Sequence, residues 1–216
     1  MARRLRALRA PMTMLRSLFT TEIFQSSLAA DTDFETFHAE LSDACRMLAE
    51  EDLAGRAWCK AKGYPGYTSY ASLDDLPQRA SVFGDLKRRL DRHAAAYAKA
   101  LNFDLGGRRL KLDSLWVNVL KPGGAHSGHI HPNSVISGTV YVKTPPGAGA
   151  LKLEDPRLAM MMAAPPRLSD APETQRRFIY LTPEPGTLYM WESWLRHEVT
   201  PNAGKAARIS LSFNYA

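Results

Sequence analysis

After Gly106-Gly107 the hydrophobic rhythm of this chain changes, and that change restricts its fold more than any other feature. Before the glycine pair, apolar residues recur at spacings of three and four. Phe34, Phe37, Leu41, Cys45 and Leu48 make one stripe, and Leu86, Leu90, Tyr97 and Leu101 make another. This predicts amphipathic helices from about Asp31 to Asp52, capped by Asp31 or Thr32, and from about Phe83 to Leu101. Lys87 to Arg89 should form a solvated face of the second helix, and His38 and His93 should sit at the surface or core edge. Between the helices, Gly55 to Pro77 has no period and carries Trp58, Tyr64, Tyr67 and Tyr70. It reads as a long aromatic loop, of the kind that often serves as a lid.

Beyond the glycines, Leu115, Val117 and Val119 alternate with Trp116 and Asn118. Further strands are predicted at Ile136–Lys143, Ala150–Glu154, Phe178–Leu181, Thr187–Trp191, Arg196–Val199 and Ala207–Asn214. Turns such as Thr144-Pro145-Pro146-Gly147 and Pro183-Glu184-Pro185-Gly186 separate them. Helices followed by many short strands specify an α+β fold whose strands form a sandwich or jelly-roll barrel, with the helices packed outside it.

A chain of 216 residues, 45% of them apolar, is expected to build one domain over residues 14–216, helical to about 108 and barrel from about 109. The net charge of +6 is concentrated in Arg3, Arg4, Arg6, Arg9 and Arg16, and the rest is near neutral, which argues against a nucleic-acid partner. Residues 1–13 read as a disordered basic extension, with an upstream start before Met12 or Met14 and a targeting signal as the alternatives. No apolar run is long enough to cross a membrane. Cys45 and Cys59 fit no metal or redox spacing, so reduced thiols in a cytoplasmic protein are expected. The sequence leaves a homodimer open.

Three of the six histidines lie in Gly124-Ala125-His126-Ser127-Gly128-His129-Ile130-His131-Pro132. In an extended segment His129 and His131 face one side and can share an ion, and His197 is the only later histidine available as a third ligand. Arg208 heads a strand in which Ser210, Ser212 and Asn214 alternate with Ile209, Leu211 and Phe213. It lies on the polar face, where a guanidinium can grip a carboxylate. His126 reads as an exposed loop histidine, Trp191 and Trp194 as packing at the rim, and Met160 to Met162 as a lid or a tucked loop.

The segments HxHPNSxxSGTVYV, LEDPR, GTLYMWESWLRHEVTPN and ARISLSFN resemble the Fe(II)/2-oxoglutarate-dependent oxygenases, and within them a prolyl-hydroxylase-like bacterial subgroup. The resemblance covers about residues 110 to 216, and GYTSYASLDDL also fits. It implies a double-stranded β-helix with Fe(II) at its mouth and 2-oxoglutarate as cosubstrate, whose oxidative decarboxylation is coupled to oxidation of a substrate, a small molecule or a protein side chain. It also implies that His129 and His197 are metal ligands, that Arg208 binds the distal carboxylate of 2-oxoglutarate, and that Tyr141 assists it. Asn118 is a further residue of that pocket. The family pattern is usually H-x-D or H-x-E, and here His131 holds the place of the acid. Asp155 is the alternative third ligand.

Two other readings stand beside this one. A cupin-type dioxygenase or isomerase shares the Gly123 to His131 spacing but lacks the following Glu and does not need Arg208. A barrel that only binds a small molecule or protein, with or without structural zinc, would need no open metal positions.

Overall fold

The computed structural model describes residues 14–216. The basic extension expected over 1–13 lies outside the described residues. The helices are α1 (Phe34–Glu51), α2 (Leu53–Ala61), α3 (Leu76–Arg79) and α4 (Ser81–Ala100). The strands are β1 (Phe24–Ser27), β2 (Gly66–Thr68), β3 (Leu112–Leu120), β4 (His126–His129), β5 (Ile136–Lys143), β6 (Leu151–Glu154), β7 (Phe178–Leu181), β8 (Thr187–Glu192), β9 (His197–Val199) and β10 (Arg208–Tyr215). They form two antiparallel sheets. The larger runs in the order β1, β8, β5, β10, β3, β2, and the smaller in the order β4, β9, β6, β7. This is the α+β double-stranded β-helix arrangement. No described helix is long and apolar enough to cross a membrane.

Strand periodicity divides the larger sheet into two faces. Val117, Leu188, Met190, Leu211 and Phe213 join Phe37, Leu41, Leu86 and Leu90 of α1 and α4 in the main core. The opposite face, between the sheets, carries Asn118, Tyr141, Tyr189, Trp191, Arg208 and Ser210. Tyr141, Tyr189 and Trp191 pack there against Leu151, Leu153 and Leu195. Polar side chains on this face pair laterally: Asn118 donates to Ser212 (3.1 Å), Ser137 to Asn214 (2.8 Å) and Asn214 to Ser114 (3.0 Å). One face of the sheet is therefore closed by the helices, and the other is the polar floor of a cavity.

Three local expectations give way. α1 begins at Phe34 after Asp33, which makes no side-chain cap bond, because Asp31 and Asp33 both accept from Arg89. Arg89 is accordingly buried, with its guanidinium 4.2 Å from the Phe37 ring centre, and is not part of a solvated face. The stretch expected as a loop from Gly55 contains α2, β2 and the start of α3. Asp52 caps α2 through the Gly55 amide (2.8 Å), and an added Cβ on Gly55 would meet that carboxylate at 2.2 Å, so the glycine that reads as a helix breaker makes room for the cap. His38 and His93 are half-buried at the core edge as expected, His38 bonding the Val142 carbonyl at 2.8 Å.

A candidate metal centre beside a buried arginine

The smaller sheet brings the histidines together through an irregularity. β4 pairs with β9 so that His126 faces Val199 and His129 faces His197, three residues on one strand spanning two on the other. This bulge contains Ser127 and Gly128. Without it, strict alternation would place His126 and His129 on opposite faces; with it, both line the same cavity. His131 follows the end of β4, fixed by its amide donating to the Ser193 carbonyl at 3.0 Å.

The three rings of His129, His131 and His197 converge. Their centres are 4.4 Å apart for His129 and His197, 5.1 Å for His129 and His131, and 5.2 Å for His131 and His197, and their potential ligand atoms all lie within 4.8 Å of one another. His129 Nδ1 is 2.7 Å from the Ser127 carbonyl and His197 Nδ1 is 2.9 Å from the Leu195 carbonyl. A carbonyl can only accept, so both rings carry their proton on Nδ1 and leave the Nε2 lone pair for an ion. Burial, added to the neighbouring His129, pulls His131 down to about 4. Burial also pulls His197 down to about 3, against the opposing bond to Leu195. At neutral pH both are free bases, the form that ligates metal.

The cavity holds about 440 Å³ and is walled by both sheets and by the segment from α2 to β2. Arg208 lies in its lining at 2% exposure. Its one side-chain hydrogen bond goes to Ser210 (3.3 Å), Nε has no partner, and it makes no ion pair with a described acid. The guanidinium carbon sits 4.8 Å from the ring centre of Tyr141, whose buried hydroxyl is also unpartnered. Among the described residues Trp191 Nε1 completes the set of buried unpartnered side-chain polar atoms, and all three residues line this cavity. No aspartate or glutamate among the described residues lines it. Three imidazoles with free lone pairs suit a transition metal, and buried donors without an acid suit an anion with several acceptor oxygens.

Residues 114–214 match a family described as "Putative 2OG-Fe(II) oxygenase". This segment, which carries the three histidines and Arg208, is that of a 2OG-Fe(II) oxygenase by its family match. The double-stranded β-helix is shared with several solved structures. It is similar to a prolyl-4-hydroxylase from Pseudomonas putida, at 17% identity over 91% of this chain and 94% of that one, with a TM-score of 0.57. It is also similar to AviO1 from Streptomyces viridochromogenes, at 13% identity over 91% and 90%, with a TM-score of 0.58. The alpha-ketoglutarate-dependent carbocyclase SnoK of nogalamycin biosynthesis matches at 12% identity over 90% and 79%, with a TM-score of 0.60. At such identities the likeness speaks for the fold. No curated protein is a significant sequence match.

The structure gathers His129, His131, His197, Arg208, Tyr141 and Asn118 around the same cavity. Asp155 is elsewhere, its carboxylate bonded to Arg157 at 2.8 and 2.9 Å. His126 is no exposed loop residue: it lines the cavity and bonds the Tyr64 hydroxyl at 2.5 Å. Burial, reinforced by Arg208 and His129, pulls it down to about 4. Trp194, Met160 and Met162 are exposed and away from the cavity. Trp58, Tyr64 and Tyr70 of the expected aromatic loop form a wall of the cavity together with Trp116 of β3, a partner that the sequence did not announce. The signal for this wall was present in the aromatic density of residues 58–70, without a partner to place it against.

Proposed function

We propose that the protein is a dioxygenase that holds Fe(II) on His129, His131 and His197 and binds 2-oxoglutarate through Arg208, with Tyr141 and Asn118 as further contacts. The observation that carries this reading is Arg208: a guanidinium buried without a carboxylate partner among the described residues, in the cavity that the three histidines line. A buried charge is stable only when paired, and a dicarboxylate supplies the missing partner. Bound together, Fe(II) and 2-oxoglutarate would supply the electrons that activate dioxygen, the oxidant, for attack on a substrate bond, with 2-oxoglutarate leaving as succinate and carbon dioxide.

The residues of the chain bind and orient. The carbonyls of Ser127 and Leu195 hold the His129 and His197 rings so that Nε2 faces the ion. His131 adds a third neutral ligand where a carboxylate would have cancelled one charge, so ion and Arg208 together attract the dianion more strongly than a charge-balanced site would. Ser210 orients the guanidinium, and the Tyr141 ring covers its face. Buried free thiols at Cys45 and Cys59 fit a reducing, cytoplasmic setting.

The substrate is a small molecule or a protein side chain. Proteins sharing this fold include a prolyl-4-hydroxylase and a carbocyclase, so fold does not choose between them. The test is anaerobic reconstitution with Fe(II) and titration of 2-oxoglutarate, followed by the visible charge-transfer band of the chelate. Wild type should give the band, and Arg208→Ala should need about a hundredfold more 2-oxoglutarate, the cost of losing a bidentate charged contact. Iron binding without a band in wild type would remove the oxygenase reading.

A further inference from the structure

The unpartnered donors of the cavity include one that the reading above does not use. Trp191 is on β8, on the inner face of the larger sheet, opposite Ser137 of β5 and packed with Tyr141, Tyr189 and Leu195. Its ring stands edge-on to the ligand His197, with centres 4.6 Å apart. The side chain is buried, its residue lines the cavity, and Nε1 finds no acceptor although Ser137 and Ser193 lie close in the fold, bonded to each other at 2.8 Å. For packing alone an indole nitrogen is a liability, because a buried N–H without an acceptor carries its full desolvation cost. A phenylalanine would fill most of the same space without that cost.

We infer that the Trp191 indole N–H is a cosubstrate-binding donor: it hydrogen-bonds the carboxylate of 2-oxoglutarate adjacent to the metal, while Arg208 and Tyr141 take the distal carboxylate. The inference rests on the 2-oxoglutarate reading above. Contact with His197 places the indole at the metal end of the cavity, whereas the Arg208 guanidinium faces the Tyr141 ring. The indole has only a donor to offer and the cavity lining has no acid, so its acceptor is an anionic oxygen of the ligand. The two ends of a dicarboxylate are thereby held by different residue sets, and Trp191 restrains the keto-acid end about the axis left free by a single distal anchor.

The experiment compares wild type, Trp191→Phe and Arg208→Ala, each loaded anaerobically with Fe(II). Iron affinity is measured by chelator competition and 2-oxoglutarate affinity and band position by charge-transfer titration. Trp191→Phe keeps the ring and removes the N–H. It should hold iron within about twofold of wild type, bind 2-oxoglutarate about tenfold more weakly, and move the band maximum. Arg208→Ala should lose more affinity and leave the maximum in place, because it acts at the other end. Unchanged 2-oxoglutarate affinity and band position in Trp191→Phe would overturn the inference. Loss of iron in that variant would also overturn it, by marking the indole as packing for His197. A wild type that binds iron but no 2-oxoglutarate would remove both this inference and the reading beneath it, and is told apart by the absence of any band.

Discussion

His126 illustrates how a side chain three positions from a proposed ligand differs from the proposed ligands themselves. Its ring nitrogen meets the Tyr64 hydroxyl, and burial pulls it from 6.5 to about 4. Between those values the unfolded chain holds a proton that the folded chain does not, so this contribution is complete above 6.5 and is lost as the pH falls toward 4. Metal-free protein should therefore melt at lower temperature as pH drops through that window. His126→Gln should reduce the dependence by at most one proton, about 1.4 kcal/mol per pH unit. A variant with the wild-type slope would show that His126 titrates normally. At this level much of the site could be read directly: the i, i+2 histidines, the lone later histidine, and Arg208 on the polar side of an alternating strand. The Tyr64 to His126 bond could not, because it joins residues 62 positions apart through a bulge that no local pattern announces.

Among the elements, boundaries were most legible where turn or polar residues bracket an apolar run. β5 and β7 run over the residues expected, Ile136–Lys143 and Phe178–Leu181. β1 and β2, with four and three residues, are too short to show a period and exist through pairing with β8 and β3. α2 was hidden by Gly55, whose role depends on Asp52. That carboxylate caps α2 and also accepts from the Tyr67 hydroxyl (2.8 Å) and the Ser72 hydroxyl (2.5 Å), tying the segment that carries Trp58 and Tyr64 to the sheet. Burial pushes its carboxyl up, but these bonds outweigh it and hold it below the usual range. Asp52→Ala should cost about 2 kcal/mol, from a lost cap and an unpaired buried phenol, measured by urea unfolding with an unchanged slope. It should also loosen the aromatic wall. An unchanged midpoint would mean that neighbouring contacts hold α2 without the cap.

Taken together, the sheets and helices divide the labour: helices cover one face of the larger sheet, and the other face meets the smaller sheet around the cavity. Because the proposed ligands come from β4, the segment after it and β9, which only the folded chain brings together, an ion bound by them couples to the stability of the fold. Fe(II) at a hundred times its dissociation constant should add about 2.7 kcal/mol, a rise of roughly 5 to 10 °C in Tm, and His197→Ala should abolish the shift. Equal shifts in both proteins would place the metal elsewhere. The α+β class and the switch from helices to strands were legible because period is a local property. The cavity was not, since its walls are assembled from α2 to β10 by long-range pairing. The pairing of His129 with His197 also bears on when the protein can be loaded. A nascent chain that has left the ribosome only as far as β8 carries two of the three imidazoles and no arginine to receive the dianion. On the proposed ligand set, iron acquisition follows synthesis of β9 and β10, which would spare the growing polypeptide from carrying a redox-active ion before there is a cosubstrate site to restrain it.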